Sequence, residues 1–141
     1  MVKQIGQVSI DQANGFEIER LNKATTHFLM TIQVILKSKG FVRTSAARRS
    51  ATYEWRFERK SDGRTISIDG WHGTGRLGTN RFWGFGKTFF SLYDNKSFKD
   101  EQHKPVFDFT GYADSSKKTV KDLIDDQIKI CEKALDYIKN I

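Results

Sequence analysis

The sequence predicts an α+β fold: an antiparallel sheet of about five strands with two helices packed on one of its faces, in the order β-α-β-β-β-β-α. Three observations carry that reading. Two long segments, 17–39 and 116–139, repeat apolar residues every three or four positions, as a helix with one buried face requires. The residues between them instead alternate apolar and polar side chains and are broken by glycine-containing turns. No internal repeat, low-complexity tract or proline-rich linker divides the 141 residues, and the one proline is Pro105, so the chain reads as a single domain, 1–141.

Each element follows from its own residues. Val2, Val8 and Ile10 share one parity around Gly6, which predicts a short strand over 2–10, closed by a turn at Asn14-Gly15. In 17–39 the buried stripe is Ile18, Leu21, Phe28, Ile32, Ile35 and Leu36, with Thr25 at the missing step. Gly40 is the expected stop, because glycine enters the left-handed cap conformation at little cost. Residues 41–52 read as a strand or, over 43–52, as an exposed basic arm, since RTSAARRS has no large apolar side chain to fasten it.

Tyr53, Trp55 and Phe57 alternate with Glu54, Arg56 and Glu58, the period of a half-buried strand. Asp62-Gly63 predicts a two-residue type I′ hairpin turn. Closing it with Ser61 opposite Arg64 places Phe57 opposite Ile68 and Arg56 opposite Asp69, an apolar pair on one face and an ion pair on the other. Further strands are expected over 81–93, with Gly84 and Gly86 marking a bulge, and over 106–112. The second helix is expected to be capped by Asp114, Ser115 or Ser116 and to bury Val120, Leu123, Ile124, Ile128, Cys131, Leu135 and Ile138. Its order of charge, with Asp122, Asp125 and Asp126 early and Lys129, Lys133 and Lys139 late, complements the helix dipole.

Composition narrows the function. The single cysteine, Cys131, excludes an intramolecular disulfide framework, and with His27, His72 and His103 as the remaining soft ligands no metal site or other cofactor is expected. No stretch reaches the roughly 20 apolar residues of a membrane span, and the N-terminus MVKQIGQVSI lacks the apolar run of a secretory signal. The expected setting is the cytoplasm or nucleus, with no membrane partner. A formal charge of +7 and a pI of about 9.6 point to polyanionic partners.

That charge is uneven. Eight of nine arginines lie in residues 43–81, a segment with nine cationic and four acidic side chains. Arginine suits bidentate phosphate contacts and stacking on flat faces, because its guanidinium is a planar, weakly hydrated fork. Within it begins the most unusual stretch, 70–86, which holds six glycines, two tryptophans and two arginines. Glycine permits close backbone approach, arginine neutralises phosphate and aromatic faces stack bases, the ingredients of a single-stranded nucleic-acid surface.

Enzyme signatures are weak by comparison. Gly73, Gly75 and Gly78 fit G-x-G-x-x-G, but the residues after them read as a strand, so there is no helix N-terminus to hold a pyrophosphate. Gly86-Lys87-Thr88 resembles the end of a phosphate-binding loop, yet Arg81 stands where its first glycine belongs. His72 with Asp69 and Arg76 offers the ingredients of metal-free phosphodiester cleavage without any spacing that fixes them. The expectation is therefore a non-catalytic module with no catalytic residue assigned. It would bind single-stranded or distorted nucleic acid, with Arg43, Arg48, Arg49, Arg56, Arg64, Arg76, Arg81 and Lys87 on phosphates and Trp71, Phe82 and Trp83 stacking on bases. Two alternatives use the same residues: a small regulator or inhibitor that sets its basic face on an acidic or nucleic-acid-binding protein, and a binder of a small phosphate-bearing ligand.

Overall fold

The computed structural model describes residues 10–48, 52–71, 87–96, 104–112 and 119–141, with side chains for all of these except 10–15, 48, 87 and 112. Its elements are α1 (Ile10–Ser38), β1 (Val42–Arg48), β2 (Thr52–Arg59), β3 (Arg64–Trp71), β4 (Lys87–Asn95), β5 (Phe107–Tyr112) and α2 (Val120–Lys139). The five strands form one antiparallel meander in sequence order. Among the described residues no helix is long and apolar enough to cross a membrane.

The predicted class is the observed one, and the predicted order needs two corrections. Ile10, the end of the expected first strand, and the expected Asn14-Gly15 turn both lie inside α1, while residues 1–9 fall outside the described residues. A glycine inside a helix costs about 1 kcal/mol against alanine. That local penalty is small beside the burial of Ile18, Leu21, Phe28, Leu29, Ile32 and Leu36 along the same helix. The fifth strand is instead β1, so 42–48 is not a free arm. Its backbone pairs with β2 along its length, and pairing supplies the order that its small side chains cannot.

Helix ends explain how the layers meet. Gly40 adopts φ +90° and donates to the Lys37 carbonyl at 3.1 Å, while the Phe41 N–H reaches the Leu36 carbonyl at 2.9 Å. These two bonds close a Schellman motif, with Phe41 buried in the same cluster as Leu36. α2 is capped by Thr119, not by 114–116, which lie outside the described residues. The Thr119 hydroxyl accepts from the Asp122 N–H at 3.1 Å and the Asp122 carboxylate accepts in return from the Thr119 N–H.

Both helices cover one face of the sheet and run side by side in the same direction. Arg20 reaches Asp125 at 2.6 Å near their starts, and Lys39 Nζ donates to the Ile141 carbonyl at 3.0 Å near their ends. Phe28, Leu29, Ile32 and Leu36 of α1 and Cys131, Ala134 and Ile138 of α2 pack against Tyr53, Phe57, Ile66, Ile68, Phe90 and Leu92. Burial pushes the Cys131 thiol up to about 12, consistent with a small hydrophobe. Gly70 serves packing as well: a Cβ there would stand 2.5 Å from the Tyr53 hydroxyl oxygen.

The β2-β3 hairpin is slipped by two residues from the predicted register. Phe57 faces Ile66 and Arg59 faces Arg64, so the loop is the four residues 60–63. Only Gly63 takes a left-handed conformation, with φ +74° and its N–H on the Arg59 carbonyl at 2.8 Å. Asp62 is engaged by its neighbours instead, accepting from Arg59 Nε and Nη2 at 3.0 and 2.8 Å and from the Arg64 N–H at 3.2 Å. A two-residue slip preserves which face each side chain occupies, so the apolar pattern is the same in both registers.

Candidate polyanion-binding site

The arginines that are neighbours in sequence do not form one surface. Residues paired across an antiparallel sheet share a face. Arg43 pairs with Phe57 on the helix side, whereas Arg56 pairs with Ser45 and Ser67 on the open side. The cause is a bulge between Arg43 and Ser45, where Thr44 is the extra residue. The Arg43 guanidinium lies 4.8 Å from the Trp55 ring centroid and donates to Gln33 Oε1 at 2.5 Å. Arg56 sits 3.5 Å from Glu58.

Arg64 and Trp71 were expected at the nucleic-acid surface and are otherwise engaged. Arg64 is 14% exposed and forms a bidentate pair, at 2.9 and 2.6 Å, with the fully buried Asp94. Its charge is neutralised inside the fold. Trp71 is 5% exposed and packs with Ile18, Leu21, Val120, Leu123 and Ile124, while its carbonyl accepts from Gln127 Nε2 at 2.8 Å. A ring wedged beneath two helices has no face to offer a base. Arg48 ends β1 and Lys87 begins β4, but their side chains are not among those described. Arg49, Arg76, Arg81, Phe82 and Trp83, together with His72, lie outside the described residues.

The open face of the sheet is acidic. Glu54 and Asp69 are paired across β2 and β3, Asp69 faces Ser91 on β4, and Ser91 faces Asp108 on β5, to which its hydroxyl donates at 3.1 Å. Arg56 is therefore opposite Ser67, and the predicted Arg56-Asp69 ion pair is replaced by a Glu54-Asp69 pair of like charge. Asp69 Oδ1 is buried with no hydrogen-bond partner among the described residues. Its burial, then the charges of Glu54 and Asp108, raise its carboxyl above the usual range.

Cations gather instead where both helices end. Lys39, Arg59, Lys60 and Asp62 line one open groove, Lys37 and Arg43 a second that shares Val42 with it, and Arg64, Lys96, Lys133 and Asp136 a third. Lys37 and Lys139 occupy the last turns of the two helices, and the Lys39-Ile141 bond links the first groove to the third. With Asp94 beneath, nine cationic side chains meet three carboxylates, an excess of six. Two helix C-termini account for only about one negative charge between them, so the dipoles do not balance this excess. Among the described residues no carboxylate pairs with Lys37, Lys60, Lys133 or Lys139, all of which are exposed.

In the sequence Lys133 and Lys139 are accounted for by the helix dipole and Lys37 and Lys60 belong to no motif, because these lysines are spread along the chain and become neighbours only through the parallel course of the helices. The last-turn positions of Lys37 and Lys139 and the hairpin-loop position of Lys60 were the available signal. Among the described residues no group of three or more His, Cys, Asp or Glu side chains is arranged to hold a metal ion. In comparisons with known protein families, curated proteins and solved structures, the chain matches none of them.

Proposed function

We propose that the protein is a non-catalytic nucleic-acid-binding module whose main contact is the phosphate backbone, held along the cationic end of the fold. The observation that carries this reading is the excess of six positive side chains there, four of them lysines without a described carboxylate partner. Lysine acts on phosphate as a hydrated point charge, which favours backbone neutralisation over base readout. Open grooves suit an extended polyanion better than an enclosed small phosphate-bearing ligand. In the same reading Arg48, Arg49, Arg76, Arg81 and Lys87 add phosphate contacts and Phe82 and Trp83 stack on bases.

The test is fluorescence anisotropy of labelled single-stranded DNA, single-stranded RNA and duplex at a series of salt concentrations, with the strands recovered afterwards. Each phosphate contact to a single strand contributes about 0.7 to the slope of log affinity against log salt. Lys60→Ala and Lys133→Ala should each flatten that slope by about one contact and weaken all sequences alike, with strands recovered intact. Binding that ignores salt, or that survives Lys60→Glu together with Lys133→Glu unchanged, overturns the proposal.

A further inference from the structure

We infer that β1 is a docking edge for an acidic, extended segment of a partner protein, taken up as a sixth strand of the sheet. β1 ends the sheet order, with β2 on one side and no described strand on the other, and each residue from Val42 to Ala46 is exposed. Such an edge presents backbone donors and acceptors that another strand can satisfy.

Charge selects the occupant. β1 carries Arg43 and Arg48 and no carboxylate, and Lys37, Lys39 and Lys60 line the grooves on either side of its first residue. A second copy pairing through the same edge would add two arginines to two arginines with no carboxylate on either strand, which disfavours self-association. On β1 itself an acidic strand meets only opposite charge; Asp62 in the adjoining groove is already held by Arg59, and Glu54 and Glu58 lie one strand further in.

Apolar footing separates a protein segment from nucleic acid at this place. Val42 is 63% exposed and lines a groove with Gln33, Lys37, Arg43 and the buried Phe41 and Phe57, so Val42 is the apolar surface on offer there. An apolar side chain of the incoming strand gains by covering Val42, whereas a phosphate does not. The partner segment accordingly alternates acidic and apolar residues. This inference shares Lys37, Lys39, Lys60 and Arg43 with the nucleic-acid reading and differs from it in the backbone edge, which a phosphate chain cannot extend as a strand.

The experiment presents the whole protein with a short, end-capped, fluorescein-labelled peptide of alternating Glu and Val, and with its Lys/Val counterpart. Amide hydrogen exchange is followed in parallel. Expected are binding of the Glu/Val peptide alone, slowed exchange within 42–48, and at least about tenfold weaker binding for Arg43→Glu and for Lys37→Glu. Both substitutions lie on exposed positions, and circular dichroism checks that each variant is folded. Equal binding of the two peptides, protection away from 42–48, or indifference to both substitutions overturns the inference. Displacement of the peptide by single-stranded DNA without protection of 42–48 would place it on the lysines of the cationic end, which also overturns it while leaving the nucleic-acid reading intact. Sedimentation that reveals dimers lost in Arg43→Glu would assign the edge to a second copy instead, against the inference.

Discussion

Asp94 and Asp69 sit on neighbouring strands of one sheet, on its opposite faces, and their carboxyl groups are driven in opposite directions. Burial pushes both up. At Asp94 that push is outweighed by hydrogen bonds from Arg64, the Tyr137 hydroxyl and Lys96, and the group is held at about 2 although none of it is exposed. Asp69 has Glu54 and Asp108 for neighbours in place of cations, and its carboxyl is raised. Depth does not decide charge state here; the sign of the neighbours does. The helix-covered side can thus hold a buried ion pair beneath the cationic end, while the open side carries charge that repels itself.

Breaking the Asp94 side should have the largest effect. Asp94→Ala leaves Arg64, 14% exposed, without its bidentate partner, and loss of one member of a buried pair costs about 3–5 kcal/mol. Urea denaturation of the variant checks the figure. Acid should reach the same interaction in the unmutated protein. Between 3.8 and about 2 the unfolded chain binds the proton that folded Asp94 refuses, so stability rises with pH across that window. The contribution, about 2 kcal/mol, is complete above 3.8 and is lost as pH falls through the folded value. Unfolding midpoints measured from pH 5 downward should drop in the native protein more steeply than in Asp94→Ala.

On the open face the sign reverses and the effect shrinks. Folded Asp69 binds its proton more tightly than the unfolded chain, so its contribution falls as pH rises from 3.8 through the raised value. Asp69→Asn should therefore stabilise at neutral pH by ~0.2–1 kcal/mol, the scale of a like-charged cross-strand pair. A loss of stability would contradict the repulsion. Smallest of all, Glu54→Gln should move the Asp69 carboxyl titration, followed by carbon resonance, towards lower pH without changing the fold.

Much of the architecture was legible locally. The 3.6-residue stripe of α2 and the alternation of Tyr53, Trp55 and Phe57 each state which face is buried, and the tertiary structure agrees. The hairpin was legible in place but not in register, because the Arg59 side chain and the Arg64 N–H both bond Asp62 and hold a four-residue loop in place of a two-residue turn. β1 was legible only as an alternative, since a strand of small and polar residues owes its order to the strand beside it. For the candidate site the balance is reversed. Arg64 is thirty residues from Asp94 in sequence, Arg43 and Arg56 are separated by one inserted threonine, and no local pattern reports either fact.

What the sequence by itself determined was the two helices, the strands from β2 to β5, the face each one buries and an excess of positive charge that must go to the surface or be paired. These are properties of periodicity and composition, which act over a few residues. Tertiary structure decided which charges meet. Coulomb energy depends on separation in space, and the fold brings Asp94 to Arg64, sets Glu54 beside Asp69, and gathers distant lysines at the common end of two parallel helices.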